Sequence, residues 1–196
     1  TGFNNCGVDI TLEHIRKNRK HSYMLGVNIN KNPLSAGEQI IKDFELVFTR
    51  LYESVDYFTL NWGSIDHESF AKVLENLTTF RQTANKRCSI FIKLPADIDE
   101  RALDLVISLA CKYSIEGFIA TGPTETKQLE KIGNGGVSGR GIGKKSQHVV
   151  RYLSKHTDHH FLIIRAGGIM TAEDAADMVS QGADMVQIYS AFIYSG

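Results

Sequence analysis

Charge of one sign is missing from this chain. Its 196 residues carry 22 Lys and Arg against 22 Asp and Glu, a formal net charge of zero. Such a surface lacks the long-range field that draws a protein to nucleic acid or to an anionic membrane, so no nucleic-acid partner is expected. Cysteine is scarce. Cys6, Cys88 and Cys111 are odd in number, widely spaced and form no CxxC pair. That pattern excludes a disulfide framework and a thiolate metal site, and it reads as reduced thiols in a cytoplasmic protein. No apolar run reaches the length of a membrane-spanning helix, and no secretory leader is visible. The first residue is Thr1 rather than Met, which reads as a piece of something longer. Seven histidines are present, but no HExxH or comparable spacing appears, so no metal is expected. His156, His159 and His160, around Asp158, read as a solvated loop.

What is there is an alternation. A short β-rich run, a turn and a helical stretch follow one another along the whole chain. The runs are Met24 to Ile29, Tyr57 to Asn61, Ser89 to Leu94, Gly117 to Thr121, Phe161 to Arg165 and Met185 to Tyr189. Most are apolar throughout, as expected for parallel strands covered on both faces. Between them, Phe70, Val73, Leu74, Leu77 and Phe80 fall at helical spacing, as do Leu103, Val106, Ile107 and Ala110. Thr171 with Asp174 reads as a helix start and Gly182 as a helix stop. No composition break interrupts the alternation, so residues 1–196 read as one α/β domain. Six strands fit an open doubly wound sheet without additions, whereas a closed eight-stranded barrel needs two more and usually runs to about 250 residues.

In either architecture, ligands gather at the carboxyl ends of the strands. Those ends supply Asn28, Asn61 to Ser64, Lys93, Thr121-Gly122, Gly167-Gly168 and Tyr189-Ser190. Polar strand ends also arise simply because loops begin there. Lys93 follows Ile90-Phe91-Ile92. It could face a flavin's electron-rich edge, bind phosphate, form a Schiff base once desolvated, or merely snorkel. The glycine-rich stretch Gly133 to Gly143 precedes a helix. It fits neither the GxxxxGK[ST] phosphate loop nor a dinucleotide fingerprint, since no strand runs directly into it. A second phosphate candidate pairs Gly167-Gly168 with Tyr189-Ser190, because barrels often hold phosphate between the loops after their last two strands. Trp62 could be core or could stack on a ring.

Taken together, Gly2-Phe3-Asn4-Asn5, LGVNINKN (25–32), FIKLPAD (91–97), GFIAT (117–121), GGVSGR (135–140), AGGI (166–169) and QIYSAFIY (187–194) resemble the successive blocks of the dihydroorotate dehydrogenase family, closest to its class 2 form. The resemblance implies a (β/α)₈ TIM barrel of the FMN-dependent type, here without its first two strands and its last helix. It implies FMN as cofactor, dihydroorotate as small-molecule substrate, oxidation to orotate in pyrimidine biosynthesis, and quinone as acceptor. It assigns Asn28, Asn61, Lys93, Thr121, Gly136, Gly168, Tyr189 and Ser190 to the cofactor. Gly2, Phe3 and Asn61 fall to the substrate, and Ser64 and Lys93 to catalysis. A longer form would touch the membrane peripherally, and open barrel edges would call for self-association. Two positions depart from the family pattern: Asp66 and Gly122 stand where substrate-binding asparagines are expected, and Asp66 would repel the orotate carboxylate. A diverged flavin- or phosphate-binding barrel protein without dihydroorotate activity is therefore the alternative reading.

Overall fold

The computed structural model describes residues 5–20, 22–63, 65–124, 127–129 and 133–195. They gather into two compact units, Gly2–Phe91 and Ile92–Gly196, whose boundary falls inside one strand.

The N-terminal unit runs α1 (Val8–Asn18), β1 (Gly26–Ile29), α2 (Glu38–Leu51), β2 (Tyr57–Asn61), α3 (His67–Thr83) and the first residues of β3 (Ser89–Leu94). β1 and β2 pair in parallel, with Asn28 opposite Thr59 and Ile29 opposite Leu60. One face of α2 buries Ile40, Phe44, Phe48 and Leu51, and one face of α3 buries Phe70, Val73, Leu74 and Leu77. These spacings of three and four residues are what place each stripe on one side of its helix. The stripes meet one another and β2 through aromatic contacts. The Phe48 ring lies 4.4 Å from Phe58 and 5.1 Å from Tyr52, and Phe44 meets Phe70 edge-on at 6.5 Å. Each fully buried aromatic of this kind contributes roughly 1.5–3 kcal/mol of hydrophobic stabilisation. The Tyr52 hydroxyl, buried with its ring, donates to the Lys86 carbonyl at 2.6 Å. Asp56 anchors the entry to β1: it accepts from Leu25 N–H at 2.7 Å and from Arg19 Nη2 at 2.8 Å.

The C-terminal unit completes β3 and continues with α4 (Glu100–Lys112), β4 (Gly117–Ala120), β5 (Lys127–Leu129), β6 (Gly133–Gly135), α5 (Gly143–Thr157), β7 (Leu162–Ala166), α6 (Ala172–Ser180), β8 (Met185–Gln187) and α7 (Ser190–Ser195). Its parallel strands neighbour one another in the order β3, β4, β7, β8. Register sets Gly117 opposite Leu162 and Ile164 opposite Met185. Thr171 and Asp174 form a full capping box at the start of α6. α6 ends before Gly182, whose φ of 101° only glycine adopts without strain.

One feature differs from the sequence expectation. A small antiparallel ladder, β5 with β6, runs into and forms the start of the glycine-rich stretch, where no strand was expected to lead. A six-residue helix, α7, follows β8. Along β8, the link after it and α7, Met185, Val186, Ile188, Phe192, Ile193 and Tyr194 are exposed.

Candidate functional site

In the C-terminal unit, backbone hydrogen bonds tie the ends of three strands together. Thr121 N–H donates to the Ala166 carbonyl at 2.7 Å, joining the end of β4 to that of β7, and Gly122 N–H donates to Leu94 at 2.7 Å, joining it to β3. The Ser146 hydroxyl, buried on α5, lies 3.0 Å from the Ala120 carbonyl and 2.7 Å from that of Ala166. This fixed frame carries Thr121 and Lys93.

Thr121 is 2 % exposed, and its side-chain oxygen has no hydrogen-bond partner. A buried hydroxyl without a partner costs about 1–3 kcal/mol, so its retention points to a ligand that satisfies it. Lys93 is half-buried, and its Nζ reaches Gln187 Oε1 at 3.5 Å. Burial pushes the Lys93 ammonium below its ordinary value. Desolvation disfavours the charged form, so a neighbouring anion would be held strongly there. Gly122 sits beside it. A Cβ at Gly122 would lie 3.5 Å from Lys93 Cε, an ordinary contact, so the position has room for a side chain that glycine does not supply.

The glycines converge at the start of α5. Gly168 has φ 80°, and a Cβ there would stand 2.4 Å from the Gly143 Cα. Gly139, at φ 67°, would place a Cβ 3.3 Å from the Ser190 hydroxyl oxygen. Gly139, Gly143, Gly168 and Ser190 thus form a cradle built of backbone and one hydroxyl. α5 opens on Gly143 with no side-chain cap and no acid in its first turn. A short 3-10 turn, Gly139–Ile142, runs straight into α5, and the Gly143 N–H donates to the Arg140 carbonyl, so what this helix start offers an anion is its positive dipole end.

Not every expected residue joins this cradle. Gly136 packs instead against Thr124, where a Cβ would meet a carbonyl oxygen at 2.5 Å. The Tyr189 side chain is 78 % exposed, and its backbone carbonyl accepts from Ile193 N–H at 3.1 Å. Arg165 was not assigned a role from sequence, yet it is buried beneath the cradle. Its Nη2 donates to the Gly143 carbonyl at 3.0 Å. Burial pulls its guanidinium down to about 10, with Asp174 pulling the other way.

In the N-terminal unit, the pleat sets Asn28, Thr59 and Asn61 on one face of β1 and β2, opposite the face of Phe58 and Leu60. The Asn61 side-chain nitrogen is buried and has no partner. Trp62 is core: it is buried, stacks on Phe70 at 6.0 Å and donates from Nε1 to the Ile65 carbonyl at 2.8 Å. Asp66 caps α3, its carboxylate accepting from Ser69 N–H at 2.8 Å. That bond holds the Asp66 carboxyl below the usual carboxylate range. Gly2, Phe3 and Ser64 lie outside the described residues. Among the described residues, no group of His, Cys, Asp and Glu could hold a metal ion, and no helix is long and apolar enough to cross a membrane.

The family model for dihydroorotate dehydrogenase matches residues 1–196. The chain is 33% identical over 208 residues to a protein of Christiangramia forsetii named dihydroorotate dehydrogenase (quinone), covering 100% of this chain and 61% of that protein. It is 32% identical over 213 residues to one of the same name from Teredinibacter turnerae, covering 100% of this chain and 62% of the relative. The chain therefore spans about 61% of the length of such relatives. A ligand-free crystal structure of DHODH from Eimeria tenella is similar with a TM-score of 0.86 and 23% identity, over 99% of this chain and 64% of that one. The same enzyme in complex with ferulenol is also similar with a TM-score of 0.86, at 24% identity. The barrel-type β/α fold expected from the motifs is borne out, over the part of the barrel that the chain covers.

Proposed function

The chain belongs to the dihydroorotate dehydrogenase family, and from that premise we propose that it takes part in FMN-dependent oxidation of dihydroorotate to orotate, with a quinone as electron acceptor. The observation that carries the proposal is the buried, partnerless hydroxyl of Thr121, held on the same strand-end frame as the desolvated Lys93. These residues fit a flavin. Thr121 would hydrogen-bond to its ring system, and Lys93 would neutralise negative charge on its pyrimidine-like edge. Gly139, Gly143, Gly168 and Ser190 would cradle its phosphate. Asn28 and Asn61 match further contacts of the family, and Asn61 has a buried side-chain nitrogen to satisfy. When bound, FMN supplies the two-electron acceptor.

Oxidation requires a proton to leave one substrate carbon as a hydride leaves its neighbour. Ser64 matches the family's base for that proton. A serine is a weak base alone, so charge stabilisation around it must do much of the work. Lys93 would stabilise negative charge on the reduced flavin. Peripheral contact with a membrane would bring a quinone within reach.

A second reading is favoured by Gly122, which offers no side chain where the family places a substrate amide. In that reading the chain keeps the flavin and turns over a different substrate or none. Anaerobic addition of dihydroorotate to the FMN-loaded protein separates the two. Bleaching of the flavin absorbance, reversed by a soluble quinone, is expected. Bound FMN without bleaching would favour the second reading, and failure to bind FMN at all would contradict both.

A further inference from the structure

A buried cation lies under the start of α5 without a matching anion. Arg165, on β7, is 1% exposed. Its three nitrogens meet little that could offset its charge. Nη2 donates to the Gly143 carbonyl, Nη1 rests against the Met178 sulfur, and Nε has no partner. Asp174 is the carboxylate whose field reaches Arg165, but it spends Oδ2 on the N–H groups of Met170 and Thr171 in its own cap. Among the described residues, no carboxylate makes an ion pair with Arg165. A buried charge normally keeps a partner, because desolvation is costly without one.

The helix above is equally one-sided. α1, α2, α3, α4 and α6 each carry an acid in their first turn. α5 carries Lys144 and Lys145 there instead and no side-chain cap. Cations at a helix start oppose the positive end of the helix dipole. Arg165 adds a further positive charge, bonded to the carbonyl of the helix's first residue. That residue, Gly143, is also the one against which Gly168 packs.

We propose that Arg165 is a positioning residue of a phosphate site at the start of α5, holding Gly143 against Gly168 and supplying buried positive charge that favours a dianionic phosphate monoester. The proposal rests on reading the glycine cradle as a phosphate site and adds the group that sets its charge preference. The backbone amides would bind the phosphate oxygens. Arg165 would act from beneath, through the Gly143 peptide and through its field, without touching the ligand.

The test compares FMN with riboflavin, which has the same ring and no phosphate, by flavin fluorescence titration of the full chain. Arg165→Gln keeps a hydrogen-bond donor but no charge. Arg165→Lys keeps a charge but loses the fork. The wild type should prefer FMN, and Arg165→Gln should lower that preference about tenfold while riboflavin binding stays within about twofold. Arg165→Lys should retain most of the preference. Equal weakening of both flavins in Arg165→Gln would reveal a merely structural role and overturn the proposal, as would an unchanged preference. Should Arg165→Gln not fold, Arg165→Met, a neutral side chain of similar length, carries the same expectation. Inorganic phosphate separates this proposal from the flavin reading. If the wild type binds neither flavin, phosphate should still raise its melting temperature more than that of the neutral variant. No such difference would overturn the role of Arg165.

Discussion

At the start of α3, in the N-terminal unit, Asp66 accepts from Ser69 N–H and Glu68 follows in the first turn. At the start of α5, in the C-terminal unit, no side chain accepts, two lysines follow, and Arg165 lies beneath. The first helix start is complete as it stands. The second continues from the 3-10 turn Gly139–Ile142 and leaves positive charge for something else to offset. The difference coincides with the departures from the family pattern. Asp66, where a substrate asparagine was expected, has a structural task. The glycines and Ser190, which keep the pattern, remain open to a ligand. Positive charge gathered at a helix start is a cost to the apoprotein, and anion binding is the means of recovering it.

The largest effect should come from closing the cradle. Gly168→Ala puts a Cβ into the Gly143 backbone at a left-handed φ. It should destabilise the chain by about 2–4 kcal/mol, seen in urea unfolding, and abolish FMN binding. Wild-type stability in this variant would show that the two glycines need not approach so closely.

Next is Lys93→Met. Burial depresses the Lys93 ammonium, so the folded state binds its proton less tightly than the unfolded chain does. The penalty is complete below the lowered folded-state value, fades as pH rises through it, and is gone above the ordinary lysine value. The methionine variant should therefore melt about 2 °C higher without ligand and bind FMN about tenfold more weakly. A lower melting temperature in the apoprotein would show that Lys93 is a structural residue.

A smaller effect should follow from making α5 resemble α3. Lys145→Glu places an acid in the bare first turn and should stabilise the apoprotein by about 0.5 kcal/mol while weakening FMN more than riboflavin. Thermal melts with each flavin check both halves.

The smallest effect belongs to Asp66→Asn. Asparagine caps as well as aspartate, so stability at neutral pH should change by less than about 0.5 kcal/mol. The Asp66 carboxyl is held below its ordinary range by the Ser69 N–H. Its contribution is therefore complete above the usual carboxylate range and is lost as pH falls through the lowered value. The asparagine variant should keep its cap in acid and overtake the wild type there. A large loss at neutral pH would mean that Asp66 does more than cap.

Much of the fold was legible in the sequence. Tyr57–Asn61 and Ser89–Leu94 are strands at the expected bounds because their apolar β-formers are bracketed by turns. The β5–β6 ladder was not, since Lys127-Gln128-Leu129 and Gly133-Asn134-Gly135 carry almost no strand propensity. Asp66 was legible in two ways. Beside its family position, an aspartate three residues before Ser69 and just ahead of an apolar helical stripe carries a cap signature, as does Thr171. Arg165 was illegible for a different reason. After Ile163 and Ile164 at a strand end it reads as an exposed cation, and only the packing of β7 against α5 and α6 reveals its burial. The partnerless oxygen of Thr121 is likewise a fact of three dimensions.

The central claim is that the C-terminal unit's strand ends and cradle hold a flavin mononucleotide. Equilibrium dialysis of the full chain against FMN tests it most directly. The account predicts saturable binding of one FMN per chain, with riboflavin bound far more weakly. No saturable binding of FMN would contradict it.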